Sequence, residues 1–374
     1  MLHTHTIDRI ESRTLKRSYP RAIPRNAKGG HHGQHAQIQV RLVYTDQGAM
    51  GWGLSSAPEH ETQSLLGRRV SDLIDPASGV VQEARALDIP LHDLAGRILG
   101  QPVWRMLGAA GPRSLPIYAG GIYFDDLEPI ESPRGIDALL AACEQDAASG
   151  HAHFKLKIGR GFKVMDRTAG DRRDAEVTRA VRERFPNAML LVDANDGYDP
   201  EGFCRYLDEV LECGLYWVEE SFPESAAGLK RLRDKLTTDS PATLIADGEA
   251  RLGPTQDPPG SFGKWPRDQL DGLLNLARDR LLDVLLMDVT AMGFTAWRTL
   301  MPELCAAGVA GSPHAWSEPL KTLYAAQLAG GLSNVPIIEG VPGGVERVDA
   351  SAYLLQEGML TLPDQPGFGL ELTD

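Results

Sequence analysis

Lys155, Lys157, Asp193, Glu219, Glu249, Asp288, His314 and Glu339 recur along the middle of the chain, each at or just beyond the end of a short apolar run. If those runs are strands of one closed ring, their ends point these side chains at a common centre. Carboxylates from Asp193, Glu219 and Glu249 meeting there would raise one another's pKa values unless a cation lay between them. All-oxygen ligation without Cys or His selects a hard divalent ion, Mg²⁺ first and Mn²⁺ second, over zinc. Any one of the three acids alone reads as a helix N-cap or a rim salt bridge. Three on consecutive strand ends read as a metal site.

Lys155 and Lys157 stand two residues apart and so share one face of a strand. Lysine is seldom buried without a purpose, so the pair are either counter-ions for the acids or proton carriers. Two adjacent ammonium groups near a divalent cation push each other's pKa down, which brings a neutral lysine base within reach of neutral pH. Asp288 ends one run and His314 follows the next. A carboxylate on one ring nitrogen would fix the tautomer and leave the other nitrogen for proton transfer. Glu339 closes the last run, where it could exchange a hydrogen bond with a ligand oxygen.

The elements that must position these groups follow from the same pattern. Eight apolar runs begin near Leu115, His153, Met189, Leu215, Thr243, Val284, Val309 and Val335, with amphipathic stretches such as 171–184 and 199–211 between them. Asp199 and Pro200 supply an N-cap and a first helical residue. Strands alternating with helices predict an α/β fold, a (β/α) barrel over residues 115–340. An open doubly wound sheet would carry a Gly-rich phosphate loop, and no GxGxxG or GxxxxGK[ST] occurs. Residues 1–114 read as a small α+β capping domain. It holds a strand around Ile38–Tyr44, a turn at Asp46-Gln47-Gly48, a return strand at Met50–Leu54 and a helix stopped near Gly100 and Pro102. Residues 341–374 are predicted to return to that domain.

A net charge of −13 argues against a nucleic-acid binder, which needs a basic field. No apolar stretch reaches the roughly 18 residues that span a bilayer, and the first residues lack a signal core. Cys143, Cys204, Cys213 and Cys305 show neither CxxC spacing nor disulfide density, so they read as reduced core thiols of a cytoplasmic protein.

The ordered set Lys155-Leu156-Lys157, Asp193-Ala194-Asn195, Glu219-Glu220, Gly248-Glu249, Asp288, His314 and Glu339 resembles the enolase superfamily, mandelate racemase subgroup. DLAGRILGQPVWRMLGA (residues 93–109) resembles that family's segment leading into the barrel, and AMGFTAWRTLMPELCAAGV resembles its sixth helix. The resemblance implies a modified (β/α)₇β barrel, capped by both termini, in a homo-oligomer of even number. It further implies Mg²⁺ on Asp193, Glu219 and Glu249, bound to the carboxylate of a small-molecule substrate, and Lys155 stabilising the enolate. Lys157 would work on one face of that substrate and the His314–Asp288 dyad on the other.

Two opposed proton carriers permit racemisation or elimination of water. The cycloisomerase and dipeptide-epimerase branches typically carry a lysine on strand six, where this chain has Asp288. Residues 13–35 form a basic, glycine-punctuated arm in an acidic protein. Arg21, Arg25 and His32 there, with Asn195, are the candidates for contacting a polyhydroxylated or diacidic substrate. Dehydration of an aldonate or aldarate to a 2-keto-3-deoxy acid is therefore the expected reaction. A 2-hydroxy-acid racemase and a catalytically idle binding or scaffold barrel are the alternatives. The stretches 159–170 and 251–266 read as insertions on the active-site face, offering Arg160, Lys163, Lys264 and Trp265 to reshape the pocket or an oligomer contact.

Overall fold

The computed structural model describes residues 1–248 and 267–373. Strand β1 (Ile7–Ile23) runs antiparallel to β2 (Gly33–Thr45), from the Ile7–Thr45 pair to the Ile23–Gly33 pair, and β3 (Met50–Leu54) pairs on the far side of β2. The expected turn at Asp46–Gly48 is present, with Gly48 at φ +77. The inward face of this sheet carries Leu15, Val40, Leu42 and Trp52, all buried. Helix α1 (Asp88–Leu99) lies across it, at the close range that Gly51 permits. A Cβ there would come within 2.3 Å of the Leu94 backbone.

The long first strand overturns the reading of residues 13–35 as a mobile arm. Most of that segment is ladder in β1 and the start of β2, and only residues 24–32 form a connecting loop. Its charges hid the strand, because residues such as Arg9, Lys16 and Glu11 sit on outward or half-exposed positions of the ribbon.

The barrel follows as β4 (Ser114–Ile122), α2 (Ile136–Ala148), β5 (His153–Lys157), α3 (Arg167–Arg184), β6 (Leu190–Asp193), α4 (Pro200–Glu209), β7 (Trp217–Glu219) and α5 (Ala226–Asp239). It continues with β8 (Leu244–Asp247), α6 (Arg267–Arg278), β9 (Val284–Leu285), α7 (Val289–Ala307), β10 (Ala310–Gly311), α8 (Pro319–Leu332) and β11 (Ile338–Gly340). Strands β4 to β10 pair in parallel, in sequence order, and β11 pairs with β4. The seam between β10 and β11 is spanned by Ser312 Oγ donating to the Ile337 carbonyl at 2.7 Å. All eight anticipated strands are present, and among the described residues one of these helices follows each of the first seven, with a short helical turn at Arg160–Lys163 before α3.

Local sequence explains the helix starts. Asp199 accepts from the Gly202 amide at 2.7 Å and Pro200 opens α4, as the N-cap pattern requires. Helix α3 begins four residues earlier than its amphipathic pattern suggested. Asp166 caps it by accepting from the amides of Thr168 and Ala169. Helix α7 is broken at Gly293 (φ 74), and buried Asp88 of the capping region accepts from the Phe294 amide at 2.5 Å beyond the break.

The C-terminal tail reaches both bodies. Strand β12 (Gly344–Val345) pairs with β1, the Val103 amide donates to the Gly367 carbonyl, and Asp93 accepts from the amides of Trp52 and Phe368. A hairpin of β13 (Leu354–Gln356) and β14 (Met359–Thr361) pairs with the start of β4. Cys143 and Cys213 are buried, Cys204 is half-buried and Cys305 is exposed, so core thiol describes only part of the set.

Arg160 lies in one of the expected insertions, but it shapes no pocket. It is fully buried, with guanidinium nitrogens 2.6 Å from Asp126 and 2.7 Å from Asp174, and it donates to the Lys157 carbonyl at 3.2 Å. The triad clamps the chain where it leaves β5, immediately after the lysine pair. Removing one member of a buried ion network strands the other charges. Arg160→Met is expected to lower unfolding stability by about 3–5 kcal/mol, measured by urea or thermal denaturation. A loss under about 1 kcal/mol would show that the clamp is dispensable.

Candidate active site

Side-chain alternation with a period of two builds the site. Phe154, Leu156, Leu190, Val192, Val218, Ile245 and Leu285 face the helices and join the main core. Their neighbours face inward. Tyr118, Leu191, Trp217, Ala246, Val284 and Ile337 form a separate apolar cluster that plugs the barrel interior. Two residues further toward the C-terminal rim stand Asp193 after Leu191, Glu219 after Trp217 and Glu339 after Ile337. Lys155 and Lys157 occupy the same inward positions on β5. The plug excludes water below the polar layer, so charges above it interact through a medium of low dielectric.

Lys155 is the hub. Its ammonium is 1% exposed and lies 2.6 Å from Glu219 Oε1, 3.1 Å from Glu339 Oε1 and 3.4 Å from Asp193 Oδ2. Trp217 Nε1 donates to the other Glu219 oxygen at 3.0 Å, which orients that carboxylate. Lys157 pairs with Asp193, and the Asn195 amide donates to Asp193 Oδ1 at 2.9 Å. The mutual depression expected of the two lysines does not govern Lys155. Burial pulls its pKa down, but Glu219, Glu339 and Asp193 outweigh that and hold it well above the ordinary lysine value. Lys155 is therefore a fixed cation.

On the other side of Glu339, His314 Nε2 lies 3.7 Å from Glu339 Oε2, and the Ala315 amide donates to that oxygen at 2.8 Å. His314 Nδ1 faces Asp288 Oδ2 at 3.4 Å. Asp288 also caps α7 through its other oxygen and meets Lys321 Nζ at 2.7 Å. Burial would raise the Asp288 carboxyl, but Lys321 and then His314 overcome it and hold the group well below the usual carboxylate range. Asp288 is thus a permanent anion behind the imidazole. Lys321 escaped sequence reasoning because it sits on helix α8, one turn beyond the motif residues.

Asp193 and Glu219 are register partners on β6 and β7, both fully buried and both within reach of one ammonium. Two such carboxylates, with hard oxygen donors only, fit a divalent cation. Glu249, the third expected ligand, lies outside the described residues, and so do Lys264 and Trp265. Among the described residues no three of His, Cys, Asp or Glu gather closely enough to hold an ion. Strand β8 ends at Asp247, which was not singled out from sequence although it closes an apolar run in the same way.

The expected substrate contacts divide. Arg21 donates to both oxygens of Asp146, at 2.6 and 2.9 Å, and to the Gly121 carbonyl, and Arg25 binds Glu128 and His31. Both guanidiniums are engaged by local acceptors, while the buried Arg21 Nε makes no hydrogen bond among the described residues. His32 does reach the site. It meets Tyr123 and Trp316 edge-on, at 4.9 and 5.7 Å, and burial first, then the Lys157 charge, push its pKa down to about 4. Tyr19 and Tyr123 stack on Trp316, and Lys157 Nζ sits 5.4 Å from the Tyr123 ring. This wall is more aromatic than the basic arm led us to expect. Asn195 donates its side-chain amide to Glu220 at 2.8 Å, and its buried Oδ1 has no hydrogen-bond partner among the described residues.

Comparison with known proteins agrees with this geometry. A family model described as enolase C-terminal domain-like matches residues 138–253 and 268–374. D-galactarolactone cycloisomerase of Agrobacterium fabrum is 26% identical over 373 residues, 90% of this chain and 89% of that protein. D-xylonate dehydratase of Haloferax volcanii is 24% identical, covering 91% and 84%. A galacturonate dehydratase from Geobacillus sp., crystallised with D-galacturonate and 5-keto-4-deoxy-D-galacturonate, superposes with a TM-score of 0.88 at 28% identity, over 100% of this chain and 95% of that one. With the barrel, the capping sheet and the described strand-end residues in place, this chain belongs to the enolase superfamily, in the branch of mandelate racemase and muconate lactonizing enzyme.

Proposed function

We propose that the protein is a lyase that removes the proton α to a carboxylate and expels a β-hydroxyl, converting an acid sugar to a 2-keto-3-deoxy acid. The observation that carries this reading is the pair of proton carriers flanking one cluster. Lys157 is held on Asp193, and His314 is held between Glu339 and Asp288, with Lys155 joining Asp193 to Glu339. The relatives act in the same chemical territory. Counted from the carboxylate carbon, 5-keto-4-deoxy-D-galacturonate has a ketone at the α-carbon and a lost hydroxyl at the β-carbon, so uronates join aldonates and aldarates as candidate substrates.

Asp193 and Glu219, with Glu249, would hold Mg²⁺, which when bound would supply positive charge beside the substrate carboxylate, where negative charge develops. Lys155, fixed in its protonated form, donates to the same developing charge. Lys157 and His314 divide the proton work, one taking the α-proton and the other protonating the departing hydroxyl. The configuration of the substrate decides which does which. Asp288 holds the imidazole tautomer and stabilises its protonated form. Asn195 Oδ1 offers an acceptor for a sugar hydroxyl, and the Tyr19–Trp316–Tyr123 stack packs against its C–H faces.

The aromatic wall also favours a second reading, racemisation of an apolar 2-hydroxy acid with the same carriers. Incubation with Mg²⁺ and a panel of acids in D₂O separates the two. Keto-acid formation supports dehydration, and exchange or inversion without loss of water supports racemisation. Absence of both with every acid would overturn both readings in favour of an idle barrel.

Lys157→Ala and His314→Asn should each lower kcat/KM by about 10²–10⁴ while the protein still folds and binds Mg²⁺. Normal turnover by either variant would remove that residue from the mechanism. Chelation with EDTA should abolish turnover and added Mg²⁺ should restore it. Activity that persists through exhaustive chelation would exclude the metal role.

A further inference from the structure

Among the described residues, one strong cation beside the aromatic wall is left without a contacting counter-ion. Arg17 points inward from β1, between Leu15 and Tyr19 on the same face, and is only 7% exposed. Its guanidinium lies over the Tyr19 ring at 3.9 Å, but it makes no hydrogen bond or ion pair among the described residues, and its Nη1 is buried without a partner there. The other deeply buried arginines among the described residues are engaged. Arg160 is clamped by Asp126 and Asp174, and Arg41 by Ser12 and the Ala57 carbonyl. Leaving a buried charge unpaired is costly, which makes Arg17 a group that waits for an anion.

Arg17 stands beside the wall of the proposed site. Tyr19 stacks on Trp316 and donates its hydroxyl to the Ser317 carbonyl at 2.9 Å, and Trp316 follows His314 by two residues. The indole Nε1 of Trp316, 8% exposed, is a second buried donor without a partner among the described residues. The titratable groups that feel Arg17 are Tyr19, His32 and Glu318. His32, held down to about 4 by burial and then by Lys157, is neutral at physiological pH and adds no competing charge. Glu318 is pushed up to about 7 by burial, caps α8 through the Leu320 amide and forms no ion pair with Arg17 within 4 Å. Arg17 is among the charges that lower its pKa, but the two groups make no direct contact among the described residues.

We propose that Arg17, linked to Trp316 through the Tyr19 ring, forms with the Trp316 Nε1 donor a subsite for a second carboxylate at the distal end of the substrate, so that the preferred acid sugars are dicarboxylic. The inference rests on the acid-sugar reading of the same site. A hydroxyl would leave the guanidinium charge uncompensated, whereas a carboxylate accepts charge-assisted hydrogen bonds from it in planar geometry. The first carboxylate belongs to the Lys155 end, and the aromatic stack lies between the two.

Steady-state kinetics of the full-length Mg²⁺-loaded protein on pairs of aldarate and aldonate of matched configuration test the assignment. The expected result is a kcat/KM ratio of about 50-fold or more in favour of the diacid. Arg17→Gln should erase that ratio, chiefly through KM, and Arg17→Lys should restore part of it. A ratio under about ten-fold, or one that Arg17→Gln leaves unchanged, overturns the subsite. Calorimetric titration of the diacids decides the point without turnover: binding by Arg17→Gln should be at least about ten-fold weaker than by wild type, and equal binding overturns it. Should Arg17→Gln fail to fold, Trp316→Phe keeps the ring and removes the donor. Several-fold weaker diacid binding supports the subsite and unchanged binding counts against it. Turnover of monoacids alone would sink this inference while sparing the dehydratase reading. Failure to process any acid sugar would sink that reading while the titration still tests Arg17.

Discussion

A single ammonium, that of Lys155, organises the centre of this protein. Three buried carboxylates from three strands converge on it, and none could be buried there as an anion without compensation. The cluster then extends outward as alternating charge: Lys157 on Asp193 in one direction, His314 on Glu339 and Asp288 on His314 in the other, with Lys321 closing the far end. Such a chain is self-supporting electrostatically. It also biases protonation by position, since its neighbours favour Lys155 as a cation and Asp288 as an anion. Lys157 and His314, the proposed proton carriers, sit between these anchors.

The barrel provides what that chain demands. An apolar plug below the polar layer removes water, and Phe154, Val192 and Val218 pin the strands from outside. The Arg160 triad fixes the exit of β5 by holding the Lys157 carbonyl, while Asp88 and Asp93 bind the capping region to α7 and the tail. Both devices use buried charge to hold geometry rather than to gain net stability, since ion pairs of this kind seldom outdo apolar packing of equal volume. The aromatic wall, in contrast, joins Tyr19 of the cap to Tyr123 after β4 and Trp316 after β10.

Much of this was legible from residue order. The eight strands were visible because each pairs an outward apolar face with an inward one, and Asp193, Glu219 and Glu339 were visible because each continues the inward face by one further step. His314 and Asp288 stood out by their company. The long strand β1 was hidden, because its outward residues are charged and its inward ones are few and include Arg17 and Tyr19. Arg21 and Arg25 were read as ligand donors for the same reason: a list of basic residues does not reveal that Asp146 and Glu128, more than a hundred positions away, already satisfy them.

Sequence by itself determined which side chains reach the barrel centre, because period-two alternation and strand order are local properties, and the resemblance carried by that ordered set of residues implied the chemistry. Folding alone decided which charges remain available. Partners such as Lys321 for Asp288 and Asp146 for Arg21 come together only when distant segments pack, and an unpaired group such as Arg17 becomes identifiable only once the neighbours around it are placed.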